Sequence, residues 1–218
     1  WCKSCEAKEI NQNQGLPLSM LGKTWVCSDF VARNCIRYPG VLYQLLAEGF
    51  ESARTIENYR NMVSQAIISS NDDSGLMSAL RVLRQQEMLR IAWRDLNLLA
   101  SLDVIFQELT DFAEAMVSVT LPYFERQQAE IFGMPLDANG EEQSLLVFAM
   151  GKMGGGELNF SSDIDLIFTF AEDGETSGPR RKSHYEFYLA VIRKLVKVLD
   201  EVTAEGFVYR VDTRLRPF

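Results

Sequence analysis

Apolar positions first recur at helical spacing along this chain and later collapse into short unbroken runs. Ser28 is placed to cap a helix through "DFVARNCIRY" that stops at Pro39, whose ring blocks continuation. "GVLYQLLAEG" predicts a second short helix closed by Gly49. From Thr55, the apolar residues Ile56, Tyr59, Val63, Ala66 and Ile67 step by three and four, which predicts a third. "SSNDDSG" (Ser69 to Gly75) reads as a loop, and "LMSALRVLRQQEMLRIAWRDLNLLA" as a long helix. Ser101 is the expected cap of another, carrying Ile105, Leu109, Phe112, Met116 and Val119, with a kink or end at Pro122. Residues 1–27 carry no readable element.

The pattern changes after "GMPLDANGEEQ" (Gly133 to Gln143), which is polar and turn-rich. "LLVFAM" (Leu145 to Met150) predicts a short, fully apolar strand, a glycine loop follows, and "IDLIFTF" predicts a second strand. Tyr185, Tyr188, Leu189, Ile192, Leu195, Val196 and Leu199 mark one face of an amphipathic helix. "GFVYRVDTRLRP" predicts a third strand. The expected fold is therefore α+β: a small mixed sheet with helices over residues 144–218, behind a helical region over residues 1–132.

Composition narrows the function more than the fold. At 218 residues and 47% hydrophobic, the chain can bury a sizeable core. A formal charge of −8 argues against a nucleic-acid binder, which neutralises phosphates with a basic surface. No apolar run is long enough to span a bilayer, and no signal pattern opens the chain, so a cytoplasmic location is expected of what reads as an excised piece of a longer protein. Cys2 and Cys5 form a CxxC, but the single histidine, His184, leaves no second pair for zinc. His184 itself is expected at the surface, at a helix start.

The chemistry concentrates in "GKMGGGELNFSSDIDLIFTF", residues 151–170. Residues two apart on a strand share a face, so Asp163 and Asp165 project together while Ile164 points inward. On the third strand Arg210, Asp212, Arg214 and Arg216 share one parity. If the strands are neighbours, three carboxylates converge, and an oxygen-only set of this kind suits Mg²⁺ or Mn²⁺. Arg214 and Arg216 would add positive charge for a phosphate-bearing ligand. Gly154 and Gly155 would let backbone N–H groups approach a phosphate, with hydroxyls from Ser161 and Ser162. Together the parts describe two-metal phosphoryl or nucleotidyl transfer.

The glycines, the Asp163-Ile-Asp165 triplet and the later Asp212 resemble the signature of the polymerase-beta-type nucleotidyltransferases. With "GFVYRVDTRLRPF", "SDFVARNC" and "LRIAWRDL", the chain from about Ser28 onward resembles the N-terminal, adenylyl-removing half of the bifunctional glutamine synthetase adenylyltransferase/adenylyl-removing family. The resemblance implies metal ligands Asp163, Asp165 and Asp212, with Gly154, Gly155 and Ser162 at the phosphate end of the substrate. It implies metal-dependent phosphorolysis of adenylyl-tyrosine on glutamine synthetase, giving ADP, with inorganic phosphate as co-substrate and the PII signal protein as regulator of the longer enzyme. The alternatives are transfer of AMP from ATP to a protein tyrosine, another nucleotidyl transfer, and an inactive binding module. Arg90 and Arg94, one turn apart near Trp93, are a candidate docking face for glutamine synthetase; the competing reading has Trp93 and Leu89 facing the core.

Overall fold

The computed structural model describes residues 18–48 and 52–214. Cys2, Cys5, Gly49 and Arg216 lie outside them. Three short helices come first: α1 (Leu18–Cys27), α2 (Asp29–Arg37) and α3 (Pro39–Glu48). Ser28 caps α2 by accepting from Val31 N–H, and Pro39 ends α2 only to serve as the first residue of α3, where its missing N–H costs nothing. α1 falls in a stretch whose sequence carried no signal.

α4 (Ile56–Ile68) opens on a capping box between Thr55 and Asn58. α5 (Asp73–Leu96) begins inside the expected loop, because Asp72 accepts from Gly75 N–H at 2.7 Å and starts the helix early. α6 (Leu102–Phe132) runs for 31 residues straight through Pro122. A helix-interior proline costs about 3 kcal/mol, and here both flanks are held in the core by Thr120, Leu121 and Phe124. Ser101 occupies the cap position of α6 but makes no side-chain cap bond.

A three-stranded sheet follows, with β1 (Leu146–Met150), β2 (Ile164–Thr169) and β3 (Val211–Asp212) in that order. A one-turn helix α7 (Gly151–Gly154) follows β1, and α8 (His184–Asp200) lies between β2 and β3. β1 and β2 are antiparallel; β2 and β3 are parallel. The third strand is much shorter than its sequence suggests. Val208 and Tyr209 N–H both donate to Leu199 O at 2.9 Å, closing the end of α8 instead of extending the ladder. One face of the sheet, through Ile164 and Leu166, is buried in the core, whereas Leu146, Phe148 and Met150 of β1 are exposed. The fully apolar first strand thus has one exposed face.

A single apolar cluster joins α4, α5, α6, α8 and the sheet, from Tyr59 and Leu80 through Phe112 and Phe124 to Ile164, Leu195 and Tyr209. It runs across the turn-rich stretch 133–143. A second cluster sets Leu21, Val31, Cys35 and Leu42 against Leu89 and Trp93 of α5.

Arg90 and Arg94 are both 2% exposed, which overturns the docking face. Arg90 pairs with Glu87 and Glu108, donates to Tyr59 Oη at 3.0 Å and to Ser52 O at 3.3 Å. Arg94 reaches Glu108 Oε2 at 3.1 Å, and Arg54 pairs with Glu87. These long side chains point inward because α5 is enclosed on both sides, and each buried carboxylate needs a cation. Burial and the nearby carboxylates push the Tyr59 hydroxyl well above its ordinary range. Replacing Arg90 with Leu leaves Glu87 and Glu108 short of a partner. It should cost about 3–5 kcal/mol in urea unfolding, and a loss below about 1 kcal/mol would show the network to be dispensable.

Candidate active site

β2 and β3 pair so that Asp165 stands directly opposite Asp212, with Ile164 opposite Val211. Asp163 sits one residue before β2, beside Arg210 at 3.9 Å. A cleft of about 280 Å³ is lined by Asp163, Asp200, Arg210, Asp212, Thr213 and Arg214. The sequence did not point to Asp200, which is the last residue of α8 and carries no motif.

Two long-range contacts put β3 in register. Arg81 is buried in α5 and donates to Gly206 O at 2.9 Å, Met77 O at 2.8 Å and Glu201 O, so it grips the α8–β3 connection. Ile164 N–H donates to Arg210 O at 2.9 Å, which starts the parallel pairing.

The three aspartates meet different surroundings. Asp212 is engaged by Arg214, whose backbone N–H donates to Oδ1 at 2.9 Å and whose guanidinium reaches Oδ1 at 3.0 Å and Oδ2 at 2.6 Å. Those hydrogen bonds hold the Asp212 carboxyl down at about 2. Among the described residues Asp165 makes no hydrogen bond or ion pair, and its Oδ2 lies where a Cβ on Gly151 would come within 2.6 Å. Gly151 has φ +56°, so both its conformation and the carboxylate above it require glycine. No three acidic, histidine or cysteine side chains among the described residues gather closely enough to form a metal cage. Two of the expected ligands, Asp165 and Asp212, are oxygen donors set opposite each other by register, and Asp163 lines the cleft together with Asp212.

The glycine run is a helical turn instead of an open loop. Gly155 N–H donates to Gly151 O at 3.1 Å and Gly156 N–H to Met153 O at 3.2 Å, so both are used internally. Gly154 is required by packing, since a Cβ there would strike Ala149 O. The following turn is tied to α6 by Leu158 N–H donating to Thr110 Oγ1 at 3.2 Å. Ser162 closes it, donating to Asn159 Oδ1 at 2.8 Å, while Asn159 Oδ1 also accepts from Ser161 N–H. Asn159 is an organiser that sequence inspection passed over; an Asn two and three residues before serines is the signal.

His184 is fully buried, contrary to expectation. Its Nδ1 donates to Glu172 O at 2.8 Å, and its ring lies where a side chain on Gly174 would sit. The strand-like return of Glu175 onto Ser183 folds this loop over the start of α8 and covers the ring.

The family model for glutamate-ammonia ligase adenylyltransferase matches residues 18–218. The chain belongs to that family. Among curated members, a bifunctional glutamine synthetase adenylyltransferase/adenylyl-removing enzyme of Thioalkalivibrio sulfidiphilus is 46% identical over 91% of this chain. Proteins of the same description from Nitrosococcus oceani and Shewanella loihica are 44% and 41% identical over 92% and 88% of it. The chain spans about a fifth of their length, 20%, 21% and 20% respectively. No helix among its described residues is long and apolar enough to cross a membrane.

If Arg214 is what holds Asp212 down, Arg214→Gln should raise the carboxyl from about 2 toward the ordinary value near 3.9. A carbon-detected NMR titration of Asp212 reads this directly; a value that stays put would assign the depression to another group.

Proposed function

We propose that this chain removes AMP from an adenylylated tyrosine of glutamine synthetase by phosphorolysis. The observation that carries this reading is the pairing of Asp165, without a cation partner among the described residues, with Asp212 across the β2–β3 ladder. The family's curated members have names that include both adenylyl transfer and adenylyl removal. The motif resemblance favours removal for this half.

In the proposed reaction an oxygen of inorganic phosphate forms a bond to the phosphorus of the AMP group. The bond from that phosphorus to the tyrosine oxygen breaks. The products are ADP and a free tyrosine, and the proton of hydrogen phosphate ends on the phenol. Nucleophile and phosphodiester are both anionic, so the task is alignment and charge neutralisation.

Asp165 and Asp212 would hold Mg²⁺ or Mn²⁺, with Asp163 completing the set, and such an ion supplies charge neutralisation and orientation when bound. Arg210 and Arg214, at the rim of the same cleft, attract the anionic reactants. The turn closed by Asn159 and Ser162 fixes the approach to Asp163. Arg214 also extends the ionised range of Asp212 further into acid. PII is the proposed regulator of the longer enzyme, acting outside this cleft.

Incubating the chain with adenylylated glutamine synthetase and phosphate should release ADP. Asp165→Asn should reduce that rate at least about 100-fold while leaving the circular dichroism spectrum unchanged. Incorporation of AMP from ATP into unmodified glutamine synthetase, without phosphate-dependent ADP release, would replace the removing reading by the adding one. Full activity in Asp165→Asn would overturn the site.

A further inference from the structure

A second cavity, of about 430 Å³, opens between α2, α5 and the turn at Phe160–Ser161. It is larger than the aspartate cleft and lies in the size range of small-molecule sites, roughly 300–1,000 Å³. Its walls combine Phe30, Phe160, Met88 and Leu96 with polar residues that include Arg84, Asp95 and Ser161.

Arg84 is the unusual member. It lies one turn from Arg81 on α5, yet Arg81 is satisfied by three carbonyls and Arg84 is not. Among the described residues Arg84 makes no ion pair or hydrogen bond, and its Nε is shielded from solvent without an acceptor. Its guanidinium carbon lies 5.3 Å from the Phe207 ring centre and 5.7 Å from that of Tyr209. Aromatic faces hold the plane in place but do not return the hydrogen bonds lost from water. Burial accordingly lowers its basicity. A desolvated, pre-oriented guanidinium with its donors unspent is suited to a bidentate anion.

The remaining walls define what the anion is attached to. Two aromatic rings and a methionine favour a flat, polarisable body. Asp95 and Ser161 can receive hydroxyl or amino groups at its edge. Phe207 stands between Arg84 and Arg210, with Arg210 at 5.5 Å on the same ring, so this cavity and the aspartate cleft are neighbours separated by one aromatic side chain.

We propose that this cavity is a second, metal-independent binding site for a nucleoside monophosphate, in which Arg84 takes the phosphate and Phe30 and Phe160 flank the base. The site does not use the carboxylates of the proposed reaction.

Calorimetric titration of the 218-residue chain with AMP in excess EDTA tests this apart from catalysis. Saturable binding is expected, and it should persist in the Asp163→Asn/Asp165→Asn double variant. Arg84→Met keeps an aliphatic stem over Phe207 and Tyr209 and should weaken AMP binding at least about tenfold. Ser161→Glu, at the exposed rim, adds a negative charge to a cavity that admits an anion, without touching the core, and should weaken binding comparably. Inorganic phosphate should compete far more weakly than AMP. Absence of saturable binding overturns the site, as do unchanged affinity in both variants or phosphate competing as well as AMP. Loss of binding in the aspartate double variant would return the nucleotide to the aspartate cleft.

Discussion

The constraint on which the rest of the molecule depends is the set of charges shut between α4, α5 and α6. Glu87 and Glu108 are 0% and 2% exposed, and Arg90 and Arg94 reach them from one face of α5. Such a set is a poor source of net stability, because desolvating each ion offsets most of the attraction. Its effect is on geometry. The rotation of α5 is the one that brings Arg90 to Glu108, Tyr59 and the Ser52 carbonyl at once, while Glu87 on the same helix meets Tyr59. The same helix carries Arg84 and Arg81, which reach the segment that becomes β3.

The sheet inherits its precision from this helix and its neighbours. β3 has two paired residues, which is too little ladder to hold a register unaided. Arg81 supplies the difference by bonding to the carbonyls before the strand, and Leu199 O does so by accepting from Val208 and Tyr209. A slip of one residue would turn Asp212 to the core face and Val211 to the cleft. A buried arginine in the helical region thus decides which face Asp212 presents.

How much of this was legible follows from which forces are local. The caps at Ser28 and Thr55, and the apolar runs of β1 and β2, act within a few residues, and sequence spacing exposes them. The Asp165–Asp212 juxtaposition was legible because strand parity is a strict rule and the two motifs are distinctive. His184 was misjudged because tertiary packing overrides local preference, a returning loop covering the histidine, and α6 does not end at Pro122 for the same reason. Arg90 and Arg94 were misjudged for the same reason, since nothing in "LRIAWRDL" announces carboxylates 18 residues farther on, as Glu108 is from Arg90. The glycine run looked like a loop because its composition is that of a loop. Its hydrogen bonds make it a helical turn, and the close approach of Ala149 O explains the glycine at 154.

Three carboxylates at one sheet edge repel one another, and the fold answers that repulsion unevenly. Asp212 is neutralised by its own near neighbour Arg214, and Asp163 lies within reach of Arg210. Asp165 is left without a cation among the described residues, facing a glycine that has no side chain to fill the space. If the edge were only structural, a half-buried carboxylate such as Asp165 would need a partner, because charge costs more where water is scarce. The opposite arrangement is what a site for an incoming positive charge requires. It leaves one donor free, keeps a second ionised by an exposed arginine that can move away, and holds both on strands whose spacing is set from the far side of the core.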